Sequence, residues 1–125
     1  MNKTIDSCNP KWILLVDDEE DIRFILSNYL KDIGFEVEEA TSALDGLEKI
    51  KKKNYHYIVT DLMMPQMNGD EFIHEAKKII SWPHSKFILV SGDFDEGKNI
   101  NPHLYDGFIS KPFNQKTLEK IFQQK

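Results

Sequence analysis

The chain has 125 residues, 40% of them hydrophobic and 30% charged, and carries a formal charge of −5. That length makes one domain, and the acidic balance argues against a non-specific grip on nucleic acid or on an anionic membrane surface. A single cysteine, Cys8, builds neither a disulfide framework nor a thiolate zinc site, and the longest apolar run, Trp12–Val16, is far short of the ~20 residues of a membrane span.

Residues 1–11 read as a polar lead-in with a turn signal at Asn9-Pro10 and no apolar segment of the signal-peptide kind. The domain proper is predicted over 12–125 and is expected to be cytoplasmic. Trp12–Val16 is wholly apolar, as a strand buried on both faces would be. After the acidic run Asp17–Asp21, residues Ile22, Ile25, Leu26, Tyr29, Leu30 and Ile33 recur at helical spacing, and Gly34 stands where a left-handed cap is wanted. Glu36–Ala40 alternates like a strand with one wet face. Ser42 and Asp45 resemble a capping box ahead of a second helix striped by Ala43, Leu47 and Ile50, with Lys51–Lys53 at its positive-favouring end.

Tyr57–Thr60 is the third predicted strand. A loop ending in Asn68-Gly69 leads to a third helix, with Phe72, Ile73, Ala76, Ile79 and Ile80 expected to face inward. Phe87–Val90 and Gly107–Ser110 are the fourth and fifth strands, and a last helix carries Leu118, Ile121 and Phe122. Between those two strands, Asp93–Asp106 holds Gly97, Asn99, Asn101 and Pro102 and few apolar residues. A helix there would be short or frayed.

Strands alternating with helices predict an α/β fold: a doubly wound parallel sheet covered on both faces, for which right-handed crossovers and short loops leave few topologies. Ligands bind such sheets outside the carboxyl ends of the strands. The residues at those ends are Asp17 and Asp18, Asp61, Ser91 and Lys111. Two carboxylates ~4 Å apart repel by ~4 kcal/mol at an effective dielectric near 20, so three of them together call for a cation or a raised pKa. An all-oxygen site suits Mg²⁺. With that charge met, a carboxylate becomes a nucleophile toward phosphorus, with a hydroxyl and an ammonium ready for the phosphoryl oxygens. If the order is 2-1-3-4-5, Ser91 lies one strand from Asp61, ~4.8 Å away, within reach of a short hydroxyl. Lys111 lies two strands away, where only a long stem reaches back.

With Asp17-Asp18 after an apolar strand, Asp61-Leu62-Met63-Met64-Pro65 running to Asn68-Gly69, Ser91-Gly92, and Lys111-Pro112-Phe113, the sequence resembles a response-regulator receiver domain of two-component phosphorelays, with the CheY-like fold of the chemotaxis regulators. The resemblance covers Trp12 to the C-terminus and implies a flavodoxin-like, doubly wound five-stranded parallel sheet of order 2-1-3-4-5 in a three-layer α/β/α sandwich. It implies that Asp61 is the phosphoacceptor. It also implies that Asp18, Asp61 and the Met63 backbone carbonyl hold Mg²⁺ (or Mn²⁺ in its place), and that Asp17 acts mostly through a metal-bound water. Ser91 becomes the switch hydroxyl, Lys111 the phosphate-binding cation, and Phe108 the aromatic that swings inward. A cis peptide is implied between Lys111 and Pro112. The implied partners are a sensor histidine kinase or histidine phosphotransfer protein and an unidentified downstream protein, without direct contact to nucleic acid or membrane. The implied chemistry is Mg²⁺-dependent self-phosphorylation and autodephosphorylation, and no other enzyme activity.

Two positions bear on how long a phosphoryl group would last. Met63 offers the hydrolytic water no hydrogen bond, and Asp93 adds an anion near its path, so slow autodephosphorylation is expected. Rival readings are weaker. A haloacid-dehalogenase-like phosphatase needs an acid where Met63 stands, and an FMN carrier needs hydroxyls and amides in the first loop, which here is acidic. A calcium loop needs Gly at the position of Ile22 and Glu at that of Asn28. His56, His74, His84 and His103 have no metal-ligand spacing. The live alternatives are a receiver-like binding module that works without phosphorylation and an excised receiver of a hybrid histidine kinase. No output domain is read after the last helix.

Overall fold

A computed structural model describes residues 11–80, 82–92 and 100–122. The lead-in before Lys11, with Cys8, and the segment containing Asp93 lie outside the described residues. Five strands, β1 (Trp12–Val16), β2 (Glu36–Ala40), β3 (Tyr57–Asp61), β4 (Lys86–Ser91) and β5 (Gly107–Ser110), form one sheet of order β2-β1-β3-β4-β5. Every pairing is parallel. The described helices are α1 (Glu20–Ile33), α2 (Ala43–Lys52), α3 (Gly69–Ile79) and α4 (Gln115–Phe122).

Side chains that alternate along the strands divide the core into two layers, as the period of two requires. Ile13 and Leu15 of β1, with Val59, Ile88, Val90 and Ile109, pack against Leu26 and Leu30 of α1 and Leu118 and Phe122 of α4. Leu14 and Val16, with Ile58, Phe87 and Leu89, pack on the other face against Ala43 and Ile50 of α2 and Phe72, Ile73 and Ala76 of α3. Because β1 is covered on both faces, it reads as an apolar run, whereas the edge strand β2 carries three glutamates.

Local chemistry sets the helix ends. Gly34 takes φ 121°, and its N–H reaches the carbonyls of Leu30 and Lys31, with the Phe35 N–H bonded to Leu30 as well, so α1 stops there. At α2 the Ser42 hydroxyl accepts the Asp45 N–H at 3.1 Å, and Asp45 in return accepts the Thr41 N–H at 3.2 Å. Asp45 thus completes the reciprocal cap one residue upstream of the cap residue itself. Glu71 accepts the Asn68 N–H at the start of α3, and Asn114 accepts the Thr117 N–H before α4.

One expectation needs amendment. Ile79 is 37% exposed and lines the surface between α2 and α3, whereas Phe72, Ile73 and Ala76 are buried and Ile80, the cap with its N–H on Ala76, packs against the same core. Residues 100–106, the described end of the weak segment, form turns (Leu104 N–H to Asn101 carbonyl), in keeping with the weak helical signal there. No described helix is long and apolar enough to cross a membrane.

Candidate functional site

Parallel pairing brings the carboxyl ends of the strands to one edge. Val16 pairs with both Ala40 and Thr60, Asp61 with Val90, and Ser91 with Ser110. Asp17 follows β1 directly and is 1% exposed; Asp61 ends β3 at 5% and Ser91 ends β4 at 1%. The Lys111 N–H bonds to the Ser91 carbonyl at 2.9 Å, so the residue after β5 is tied to the end of β4.

Carboxylate oxygens of Asp17, Glu19 and Asp61 lie within 4.8 Å of one another. Lys111 Nζ stands 3.6 Å from Asp61 Oδ1 and 3.9 Å from Glu19 Oε1. The sequence reading places Asp18 in this group; here Asp18 and Glu19 are both exposed, and it is Glu19 whose carboxylate oxygen lies in the cluster. The local cause is visible. Asp17 Oδ1 accepts the Glu19 N–H at 2.9 Å, a two-residue turn that swings Glu19 back over the strand ends. Asp18 still acts at a distance, since its charge helps to raise the pKa of both Asp17 and Asp61.

Burial is the main electrostatic influence. It pushes the Asp17 carboxyl up to about 6, against the Glu19 N–H and with help from Asp61. It raises Asp61 too, and there Lys111 is the principal opposing charge.

Of the remaining candidates, Met63, two residues past Asp61, is 54% exposed, while its neighbours Leu62 and Met64 are buried. Phe108 is half-buried against the α2/α3 layer, its ring tilted over Tyr105 at 6.1 Å. The Lys111–Pro112 peptide is cis. The loop after β3 turns tightly at Gln66, φ 72°, where the Met67 N–H bonds to the Pro65 carbonyl, and returns so that Gly69 N–H meets the Leu62 carbonyl.

The donor set fits a small hard cation. All candidate ligands are oxygens, and Asp17 Oδ2 is buried with no hydrogen-bond partner among the described residues, an arrangement that costs free energy unless positive charge meets it.

Comparisons with known proteins agree with this geometry. The family model described as "Response regulator receiver domain" matches residues 13–123. The chain is 31% identical over 119 residues to chemotaxis protein CheY-3 of Vibrio cholerae, covering 90% of this chain and 92% of that protein. It is 33% identical to the Haemophilus influenzae transcriptional regulatory protein CpxR homolog (85% of this chain, 46% of that protein) and 32% to the Brucella abortus sensor kinase CckA (94% and 13%). It therefore spans about half of the first and about an eighth of the second. Among solved structures, V. cholerae CheY4 superposes with a TM-score of 0.84 at 31% identity, covering 92% of this chain and 98% of that one. The Thermotoga maritima regulator TrrA, solved in complex with Mg(2+)-BeF, gives 0.81 at 29% identity, covering 90% and 96%. With its five parallel strands in the order 2-1-3-4-5 and a family match along nearly its whole length, the chain belongs to the response-regulator receiver domains of two-component systems.

Proposed function

We propose that this receiver domain, over residues 12–125, takes a phosphoryl group onto Asp61 and thereby changes the surface it offers to a partner. The observation that carries the reading is the position of Asp61: buried at the end of β3, 3.6 Å from Lys111 Nζ and within 4.8 Å of the Asp17 and Glu19 carboxylates. A divalent cation, Mg²⁺ or Mn²⁺, would be held by Asp17, Asp18 or Glu19, and Asp61 with the Met63 carbonyl, and would supply the positive charge that lets an anionic phosphodonor approach. Asp61 Oδ attacks phosphorus, the bond from phosphorus to the donor breaks, and the product is an acyl phosphate on Asp61. Lys111 follows the incoming charge, and the Ser91 hydroxyl donates to a phosphoryl oxygen. Charge-assisted hydrogen bonds contribute ~1.5–3 kcal/mol each, so two or three of them match the ~5.5 kcal/mol needed to move a switch from 1:99 to 99:1. Phe108 fills the space that Ser91 leaves. The donor is a sensor histidine kinase or a histidine phosphotransfer protein, a reading supported by the likeness to CckA, and the setting is the cytoplasm.

Incubation with acetyl phosphate and Mg²⁺, followed by intact mass measurement, tests this. One added phosphoryl mass is expected for the wild type and none for Asp61→Asn. An unchanged wild-type mass, under conditions that label another receiver, would leave a binding module that works without phosphorylation.

Met63 bears on the lifetime of the modified state. Its exposed thioether cannot orient water, so the acyl phosphate should decay slowly. Met63→Asn supplies one hydrogen bond, worth ~1 kcal/mol, and should hasten decay about five-fold. Decay of the wild type within seconds in Mg²⁺, or an unaltered rate in Met63→Asn, would count against this.

A further inference from the structure

Arg23 is the chain's one arginine among its 16 Lys and Arg residues. Its side chain is 13% exposed, and the guanidinium binds in two directions. Nη1 donates to the Asp17 carbonyl at 2.9 Å, and Nε donates to Glu39 Oε1 at 3.1 Å. Asp17 stands one residue beyond Val16, the last β1 residue in the ladders to β2 and β3. Its N–H still reaches the Ala40 carbonyl at 3.2 Å, and Arg23 takes up its own carbonyl. Glu39 lies in β2 next to Ala40. One planar fork therefore ties the backbone of the acidic loop to the edge strand. Glu39 meets the charge of Arg23, which leaves position, more than potential, as what the guanidinium contributes.

We propose that Arg23 is a positioning residue for the cation site: by holding the Asp17 backbone against β2, it fixes the direction in which Asp17 and Glu19 face Asp61. This rests on the reading of the acidic cluster as a cation site. A lysine carries its donors on one flexible point charge and does not hold two acceptors in one plane as a guanidinium does.

The test is Mg²⁺ affinity of the full chain by isothermal titration for wild type, Arg23→Met, Arg23→Lys, Glu39→Gln and the Arg23→Met/Glu39→Gln double variant, with a cation-free melt of each. Arg23→Met should bind Mg²⁺ about 10-fold more weakly, the lower end of what losing an outer-shell partner does. Arg23→Lys should recover only part of that, and Glu39→Gln should weaken binding less. The double variant should bind no more weakly than Arg23→Met, because the two residues act as one unit. A lower melting temperature with Mg²⁺ affinity within about two-fold of wild type is the signature of a merely structural arginine and overturns the proposal. Full recovery by Arg23→Lys overturns it too, since charge alone would then suffice. If Arg23→Met does not fold, unaltered affinity in both Arg23→Lys and Glu39→Gln has the same force. A wild type that binds no Mg²⁺ refutes the cation site itself; a wild type that binds, beside an Arg23→Met that binds equally, removes only the role of Arg23.

Discussion

Asp17→Asn is expected to raise the stability of the cation-free protein at pH 7 by on the order of 1–3 kcal/mol and to remove most of its stabilisation by Mg²⁺. Asp17 is 1% exposed, and its Oδ2 has no hydrogen-bond partner among the described residues. Burial pushes its pKa up to about 6 from 3.8. The folded protein therefore holds this proton more tightly than the unfolded chain does. The resulting stabilisation is fully present below about pH 4 and is lost as the pH rises through about 6. An amide carries no charge to desolvate, and its N–H₂ can donate to the carboxylates of Asp61 or Glu19, which share the 4.8 Å cluster. Urea unfolding at pH 4 and pH 7, with and without Mg²⁺, checks the sign. The advantage of the variant should be small at pH 4, large at pH 7 without cation, and reduced or reversed when Mg²⁺ is added. An advantage independent of pH, or a variant less stable than wild type at pH 7 without cation, would contradict this electrostatic account.

Gly69→Ala should do harm of a different kind. A Cβ on Gly69 would collide with the Asp61 carbonyl oxygen and come 3.0 Å from Leu62 Cα, and both obstacles are backbone. The chain approaches this closely because the Gly69 N–H bonds to the Leu62 carbonyl at 2.8 Å where α3 begins. The added methyl must push the end of β3 aside. Overpacking of this sort costs about 1–3 kcal/mol. A displacement near 1 Å at the reacting carboxylate can slow its chemistry by about 100-fold. Gly92 is the control: a Cβ there meets only the Lys111 side chain at 3.8 Å, so Gly92→Ala should stay close to wild type in stability. Urea midpoints and acetyl-phosphate labelling rates of the folded variants measure both effects. Wild-type stability and rate in Gly69→Ala would contradict the close approach on which this rests.

The sheet was legible because its burial is two-sided. Trp12–Val16 has no polar residue, and strand and prediction coincide there. The third and fourth strands run further than predicted, to Asp61 and Ser91, because a parallel ladder carries these polar residues one step past the apolar run. Hydrophobic periodicity has no means of registering that step. Pattern also assigned Ile79 to the core, although it falls at the end of α3 on the side that opens between α2 and α3.

At the site, residue type and strand-end position were enough to bring Asp17, Asp61, Ser91 and Lys111 to one edge of the sheet. They were not enough to decide whether Asp18 or Glu19 brings a carboxylate oxygen to the cluster with Asp17 and Asp61. That depends on one hydrogen bond, from the Glu19 N–H to Asp17 Oδ1, which the similarity of the three carboxylates obscures. The signal that could have found Glu19 was the Asp two residues before it, a residue type that caps its own downstream N–H. Arg23 likewise looks like any exposed helix cation in the sequence, and only the fold brings it against Asp17 and Glu39.

The most direct test of the central claim is to locate the phosphoryl group. The wild type should be treated with acetyl phosphate in Mg²⁺ or in excess chelator, reduced with borohydride to trap any acyl phosphate, and mapped by peptide mass spectrometry. Conversion is expected at Asp61 alone, and only in the presence of the cation. Conversion at another carboxylate, or equal conversion in chelator, would contradict it.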